Sequence, residues 1–372
     1  MATLIDAPAG LEGVVAAETA VGDVRGDEGF YHYRGHPAAD LAATLPFEAV
    51  WHLMHAGRLP DAAALTAFTT DTTARRAVSD DVFAALPAIA ATGTPMAALR
   101  TALSLAGQDD RPWLDTSPDE RRARALAIVA QAPVLAAALW RLRSGQSPVP
   151  SDPALGLAAN YLWMVTGVRP APEAVSAVER YLVLTIDHGF NASTFTARVV
   201  ASTGADLTAA AIAGLAALSG PLHGGAPSRV LDMLREIGTA ERARPWLEER
   251  LAAGQRIMGF GHRIYRTDDP RSVVLKATAR AMGGPLVVLA EQVEALVLDI
   301  LETKYPERRL RTNVEFYAGV VLEQAGLPPA LFPVTFGLSR LVGWMAHVIE
   351  QSDRNRLIRP ASRYVGPPAP RP

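Results

Sequence analysis

Sustained alternation of apolar and polar residues is missing from this chain, and that absence narrows its fold more than any other feature. A half-buried strand needs period-two alternation, whereas an amphipathic helix needs apolar residues three and four positions apart. The helical pattern recurs throughout. Within 289–304, Val293, Leu296, Val297 and Ile300 fall on one face. Ser117-Pro118-Asp119-Glu120 combines a capping box with proline at the first helical position. It predicts a helix running through Ala125, Ile128, Val129 and Leu135 toward Gly145. Asp206 is an N-cap for 207–218, which stops before Gly220, and further helices are expected to end at 323–326 and to cover 341–350. The expected fold class is all-α, with short strands confined to the N-terminal region. Segments 109–116 and 145–153 read as loops, and the proline-rich 366–372 as a fraying tail.

The 372 residues, 49% of them apolar, suffice for two domains or one very large one. A net charge of −2 supplies no global field for nucleic acid or an anionic membrane, so neither partner is expected. The longest apolar run, 126–140, is short for a bilayer span and holds Gln131 and Pro133, which makes it a buried helix. Residues 1–10 carry no basic leader, and the expectation is a soluble, cytoplasmic protein. Absence of cysteine removes disulfides, thiolate metal sites and cysteine nucleophiles. Of the 36 basic residues only Lys276 and Lys304 are lysines, so anion sites here are guanidinium sites suited to planar, bidentate carboxylate recognition.

Familiar cofactor motifs fail. No Gly-Lys-Ser/Thr occurs, and Gly259-Phe260-Gly261 has Ile264 where a dinucleotide fingerprint needs its third glycine. His52 and His55 share a helical face but have no acidic third ligand nearby, so no metal is expected. Three other segments set polar residues beside glycines. Gly220-Pro221-Leu222-His223-Gly224-Gly225 ends a helix and holds a histidine between glycines; read alone, it is equally a helix stop capped by its histidine. Gly259 to Arg266, continuing to Asp269-Pro270-Arg271, places three arginines after a histidine, which suits a polyanion but also an ordinary solvated loop. Thr312-Asn313-Val314-Glu315-Phe316-Tyr317-Ala318-Gly319 buries a carboxylate in an apolar run. Such a group is a strengthened base or a helix-start residue favoured by the macrodipole.

Taken together and in this order, the three segments resemble the citrate synthase family. Gly-Pro-Leu-His-Gly-Gly matches its first catalytic histidine motif, Gly-Phe-Gly-His-Arg with Asp-Pro-Arg its second, and Asn-Val-Glu-Phe-Tyr its catalytic carboxylate motif. Asp187-His188-Gly189-Phe190-Asn191-Ala192-Ser193-Thr194 resembles the segment of the oxaloacetate histidine. Ser339-Arg340-Leu341-Val342-Gly343-Trp344 with His347, then Arg359-Pro360, resembles the C-terminal signature. Glu18-Thr19, Tyr33-Arg34-Gly35 and Gly57-Arg58-Leu59-Pro60 extend the likeness to nearly the whole chain, within bacterial citrate and 2-methylcitrate synthases.

The resemblance implies condensation of acetyl-CoA with oxaloacetate, with no cofactor beyond the CoA thioester substrate. It assigns proton abstraction to Glu315, enolate stabilisation to His223 and protonation of the oxaloacetate ketone to His262. His188, Arg271, Arg340 and Arg359 hold oxaloacetate, Arg266 lies near the CoA phosphates, and Asn191, Ser193 and Asn313 support the site. His347 is read as packing or hydrogen-bonded support. A homodimer is implied, with Arg359 reaching the neighbouring site. So is a division into a large helical domain, 1–224 and 327–372, and a small one, 225–326, that closes over the substrates. Two departures stand out. Glu315 replaces the usual aspartate, as in one branch of the family, and a compensating backbone is expected because the rest of the site is intact. Ala226-Pro227-Ser228-Arg229 replaces a common Ala-Asn-Glu; there Pro227 is expected to start a helix and Arg229 to add positive charge near the cleft. Propionyl-CoA as substrate, and a non-catalytic member that senses CoA or dicarboxylate, remain the alternatives.

Overall fold

The structure, a computed structural model, describes residues 5–224, 227–262 and 264–369; Gly225, Ala226 and Arg263, which belong to the motifs above, lie outside the described residues. A three-stranded antiparallel sheet comes first: β1 (Gly22–Arg25), β2 (Phe30–Tyr33) and β3 (His36–Pro37), in that order. The rest is helical. The first helices are α1 (Ala38–Thr44), α2 (Phe47–Ala56), α3 (Ala62–Ala74), α4 (Asp80–Ala90), α5 (Pro95–Ala106), α6 (Pro118–Arg143), α7 (Leu157–Thr166) and α8 (Pro172–Thr185). They are followed by α9 (Ala192–Ser202), α10 (Leu207–Leu218), α11 (Pro227–Ile237), α12 (Ala240–Ala252), α13 (Pro270–Met282), α14 (Pro285–Lys304), α15 (Val314–Gln324) and α16 (Phe332–Asp353). The all-α expectation and the N-terminal strands are both observed.

Local chemistry sets the boundaries. Ser117 and Glu120 form the reciprocal capping box of α6, and the Asp206 carboxylate accepts the Ala209 N–H at the start of α10. Pro227 does open α11. Helix α14 begins at Pro285, a turn earlier than the apolar stripe from 289 indicates, because proline is pre-organised for the first helical position. Helix α6 is long and apolar enough by composition to cross a bilayer, but 72% of its most apolar window is buried against other helices.

Helix α16 is the spine of the core. It packs on α9, α10, α6 and α8, and its polar residues are buried with its apolar ones. Several of those polar groups are partnered, as burial requires, whereas the Trp344 Nε1–H has no hydrogen-bond partner among the described residues. Ser339 donates to the Leu182 carbonyl at 2.5 Å, and Thr335 pairs with Tyr161 at 3.1 Å. Contact between α16 and the end of α8 depends on Gly343. A β-carbon there would sit 2.2 Å from the Ile186 carbonyl oxygen, which no rearrangement of a side chain relieves. The same close approach brings Arg340 and His347 to residues 185–188. The hairpin is seated on the same helix end, with the Tyr31 and Tyr33 hydroxyls donating to the carbonyls of Leu184 (3.0 Å) and Val183 (2.9 Å).

Helices α11 and α13 pack on α15, and α12 packs on α14. Among them Glu294 is buried and accepts from Thr312 (2.7 Å), Tyr317 (2.6 Å) and Lys276 (2.5 Å), one of the chain's two lysines.

Candidate active site

Three elements meet around His188. It follows the C-terminus of α8, in the link to α9 that Asn191 caps by accepting the N–H groups of Ser193 and Thr194. His188 is buried, and burial together with Arg271 holds its pKa well below 6.5, so the ring is neutral. Its neighbour Asp187 is anchored from α16. His347 Nε2 lies 3.2 Å from Asp187 Oδ1, and the Gly189 N–H donates to Oδ2 at 3.2 Å. Burial alone would raise the Asp187 carboxyl, but His347 and Arg340 hold it below the usual carboxylate range. Arg198 Nη1 approaches His347 Nδ1 at 3.2 Å and pairs with Glu350 at 2.5 Å. Arginine only donates, so Nδ1 accepts and His347 gives its Nε2–H to Asp187. His347 is therefore hydrogen-bonded support for the His188 link.

His262 and Glu315 are tied together by backbone. Phe260 and Thr312 form an isolated antiparallel bridge; the Gly261 N–H donates to the Arg311 carbonyl at 2.8 Å, and the Asn313 N–H to that of Gly259 at 2.9 Å. Asn313 completes the join. Its Nδ2 donates to the Gly261 carbonyl at 2.9 Å while its Oδ1 accepts the Glu315 N–H at 3.0 Å, capping α15. Glu315 thus occupies the first turn of a helix, as the macrodipole reading allows, yet its pKa moves the other way. Burial pushes it up to about 7, against the lowering effect of Arg271 and Arg229. The carboxylate has no hydrogen bond or ion pair among the described residues.

The His262 ring has its orientation fixed locally. Its Nδ1 accepts the N–H groups of Ile264 and Tyr265, both at 3.0 Å, which leaves the proton of a neutral ring on Nε2. Burial and Arg271 lower its pKa to about 4, so it is neutral near pH 7. Arg271 Nη2 faces that same Nε2 at 3.1 Å. Two donors cannot bond one another, so an acceptor within reach of both satisfies the pair. Arg271 is itself locked by Asp269, which takes its Nε at 2.9 Å and its Nη2 at 2.8 Å and also accepts the Val314 N–H at 3.0 Å. Asp269 thereby links the start of α13 to the start of α15.

His223 sits in the turn after α10, with Nε2 2.8 Å from the Ser193 hydroxyl and a pKa lowered to about 4 by burial and Arg340. Arg340 is buried in α16 and anchored by one bond, Nε to the Thr185 carbonyl at 2.9 Å. It has no ion pair among the described residues, a costly state for a buried cation unless an anion arrives. Arg271 acts on His188, His262 and Glu315, and Arg340 acts on His188 and His223, so these groups share one electrostatic neighbourhood.

Two expected residues stand apart. Arg266 and Arg359 are exposed, and neither side chain bonds to the site. His52 and His55 pack on Phe68, and among the described residues no group of three His, Asp or Glu side chains is placed to hold a metal. A groove of about 870 Å³ between 16–20, α6, the end of α16 and 354–358 contains none of the site's histidines. Asp187, Asp269 and Tyr265 each lie within one of the motif segments, but the family resemblance assigns them no role. Arg198 carries no sequence signal, since its partner His347 is 149 positions away.

The family described as "Citrate synthase, C-terminal domain" matches residues 10–361. Citrate synthase 2 of Bacillus subtilis is 38% identical over 359 residues, 96% of this chain and 95% of that protein. A 2-methylcitrate synthase of Mycobacterium tuberculosis is 38% identical over 365 residues, 97% of this chain and 91% of that protein. Among solved structures, the citrate synthase from Pyrobaculum aerophilum superposes with a TM-score of 0.90 at 32% identity, covering 99% of this chain and 96% of that one. The citrate synthase from Thermoplasma acidophilum, in a ternary complex with carboxymethyl coenzyme A and oxaloacetate, gives 0.88 at 28% identity, covering 98% and 97%.

Proposed function

Because the chain belongs to the citrate synthase family, we propose that it condenses acetyl-CoA with oxaloacetate, releasing citrate and CoA after hydrolysis of citryl-CoA. The observation that carries this reading is Glu315: a recessed carboxylate with no partner among the described residues and a pKa near 7. It is joined through Asn313 to the segment that presents His262. A thioester methyl is a very weak acid, and its deprotonation needs a raised base together with stabilisation of the enolate oxygen. Glu315 takes the proton and His223 donates to that oxygen. The new C–C bond forms as the enolate carbon attacks the ketone, and His262 Nε2–H gives its proton to the resulting alkoxide. Water then cleaves the thioester.

Neutral imidazoles suit both donor roles. The Ser193 hydroxyl lies 2.8 Å from both Asn191 Oδ1 and His223 Nε2 and has one proton to give. In the resting structure it gives that proton to Asn191 Oδ1; turning it to Nε2 when the thioester binds puts the His223 proton on Nδ1 for the enolate. Oxaloacetate brings two carboxylates. Arg271 and Arg340 receive them with His188, and Arg359 is supplied by a second copy of the chain. That assignment is supported by the exposure of Arg359 in a tail whose Leu357, Tyr364 and Val365 are also exposed. Sedimentation of a dimer, and complementation between Arg359→Ala and Glu315→Gln chains, tests it. Arg266 is exposed beside the His262 segment and is assigned to CoA phosphate. Residues 225–326 form the smaller domain, closing on 1–224 and 327–372; compaction in small-angle scattering on adding oxaloacetate tests that. The protein works in the cytoplasm.

The deciding assay is thiol release with oxaloacetate and acetyl-CoA. Wild type turns over, and Glu315→Gln loses at least about a hundredfold in kcat. Calorimetric binding without thiol release would instead make the chain a sensor. One methyl separates the acetyl and propionyl substrates, worth about 1–3 kcal/mol, and the identity shared with a 2-methylcitrate synthase keeps propionyl-CoA in the same assay. A higher kcat/KM for propionyl-CoA would replace the acetyl assignment.

A further inference from the structure

One buried residue outside the assigned set touches three of the groups assigned to oxaloacetate. Tyr265 is 4% exposed, and its hydroxyl lies 2.9 Å from His188 Nε2. Its backbone N–H donates to His262 Nδ1 at 3.0 Å, and its ring lies 4.7 Å from the His262 ring at 37°. The Arg271 guanidinium stands over the same ring at 5.7 Å. We propose that Tyr265 is a positioning residue that sets the proton of His188 for oxaloacetate, holding the His188 link and the His262 segment in one register. The inference rests on His188 binding the substrate, as above.

The chemistry follows from counting protons. His188 is neutral and carries a single N–H, and it can meet a carboxylate only as a donor. The phenol also keeps its proton, since burial raises its pKa. Were Nε2–H to donate to the tyrosine oxygen, Nδ1 would be a bare lone pair facing an anion. With the phenol donating to Nε2, the imidazole proton is on Nδ1, which has no partner among the described residues. The hydroxyl thus turns His188 into a directed donor without charging it, and ring contact ties that donor to the proton source at His262.

Tyr265→Phe keeps the ring and removes the bond. Its Kd for oxaloacetate by calorimetry, and its KM, should rise about tenfold or more, because the His188 proton is no longer held on Nδ1 to meet the carboxylate. The unfolding temperature should stay close to wild type. In a double-mutant cycle, Tyr265→Phe should add little to His188→Gln, because both break one interaction. An unchanged Kd with a lower unfolding temperature would reduce Tyr265 to a packing residue. A tighter Kd would show the hydroxyl blocking the substrate position, and full additivity would break the link to His188; each overturns the proposal. The binding readout separates the two claims. A wild type that binds oxaloacetate without turnover sinks the proposed reaction and leaves Tyr265 testable, while a wild type that binds none sinks both.

Discussion

Glu315 is where a one-carbon difference matters most. A shortfall of about 1 Å in a reacting group costs on the order of a hundredfold in rate. The Asn313 cap and the Gly259–Asn313 pairing hold the backbone behind this side chain in place. Glu315→Asp should therefore lose about a hundredfold in kcat rather than gain; an equal or faster Asp variant would show that the frame suits the shorter acid. Protonation would silence Glu315 in its proposed role as base, so kcat/KM should fall as pH drops through about 7, the pKa that burial gives it. Stability carries the opposite sign. The folded state holds this proton up to about pH 7 and the unfolded chain only to about 4.5, so stability is lost as pH rises between those values. Glu315→Gln removes that cost. It should be more stable than wild type at pH 8, by on the order of 2 kcal/mol, and equal to it near pH 4.5. Parallel denaturation curves at the two pH values check this.

At the scale of elements, the site depends on how the N-terminal hairpin meets the His262 segment. The turn between β1 and β2 lies against residues 264–268, with the Arg266 N–H donating to the Gly26 carbonyl at 3.2 Å. A β-carbon on Gly26 would lie 2.3 Å from the Ile264 carbonyl oxygen, which is backbone and cannot rotate away. Ile264 and Tyr265 hold His262 through their N–H groups, so displacing them moves the proposed proton donor. Gly26→Ala should lower kcat by about tenfold and cost about 1–3 kcal/mol of stability, as overpacking does. Unchanged kinetics and unfolding temperature would mean that the turn merely rests on the loop.

For the whole molecule, buried neutral histidines predict acid lability. His55, His223 and His262 have folded pKa values near 4 against 6.5 in the unfolded chain, and burial also holds His188 well below 6.5. The unfolded chain binds more protons on these rings between those values, so the stability they contribute is complete above about pH 6.5 and lost as pH falls toward 4, outweighing the opposite effect of Glu315. A series of unfolding temperatures across that window should decline toward acid. A flat series would mean that the rings are not buried as neutral species.

The helical class was legible because periodicity and caps are local: Ser117–Glu120 and Asp206 can be read without knowing what their helices touch. Membership of the family was legible too, since glycine-flanked histidines and an ordered set of motifs survive as sequence. What each side chain meets was not. Arg198 reaches His347, and Asp187 lies 160 positions from it, through the packing of α16 on α8 and α9. Nothing in the sequence reports that Tyr265 faces His188 across 77 positions, or that Arg340 is left without an ion pair among the described residues. Helix and cap are decided by neighbours a turn away, whereas the protonation of a buried imidazole or carboxylate depends on every charge and dipole that the folded chain brings within a few ångströms.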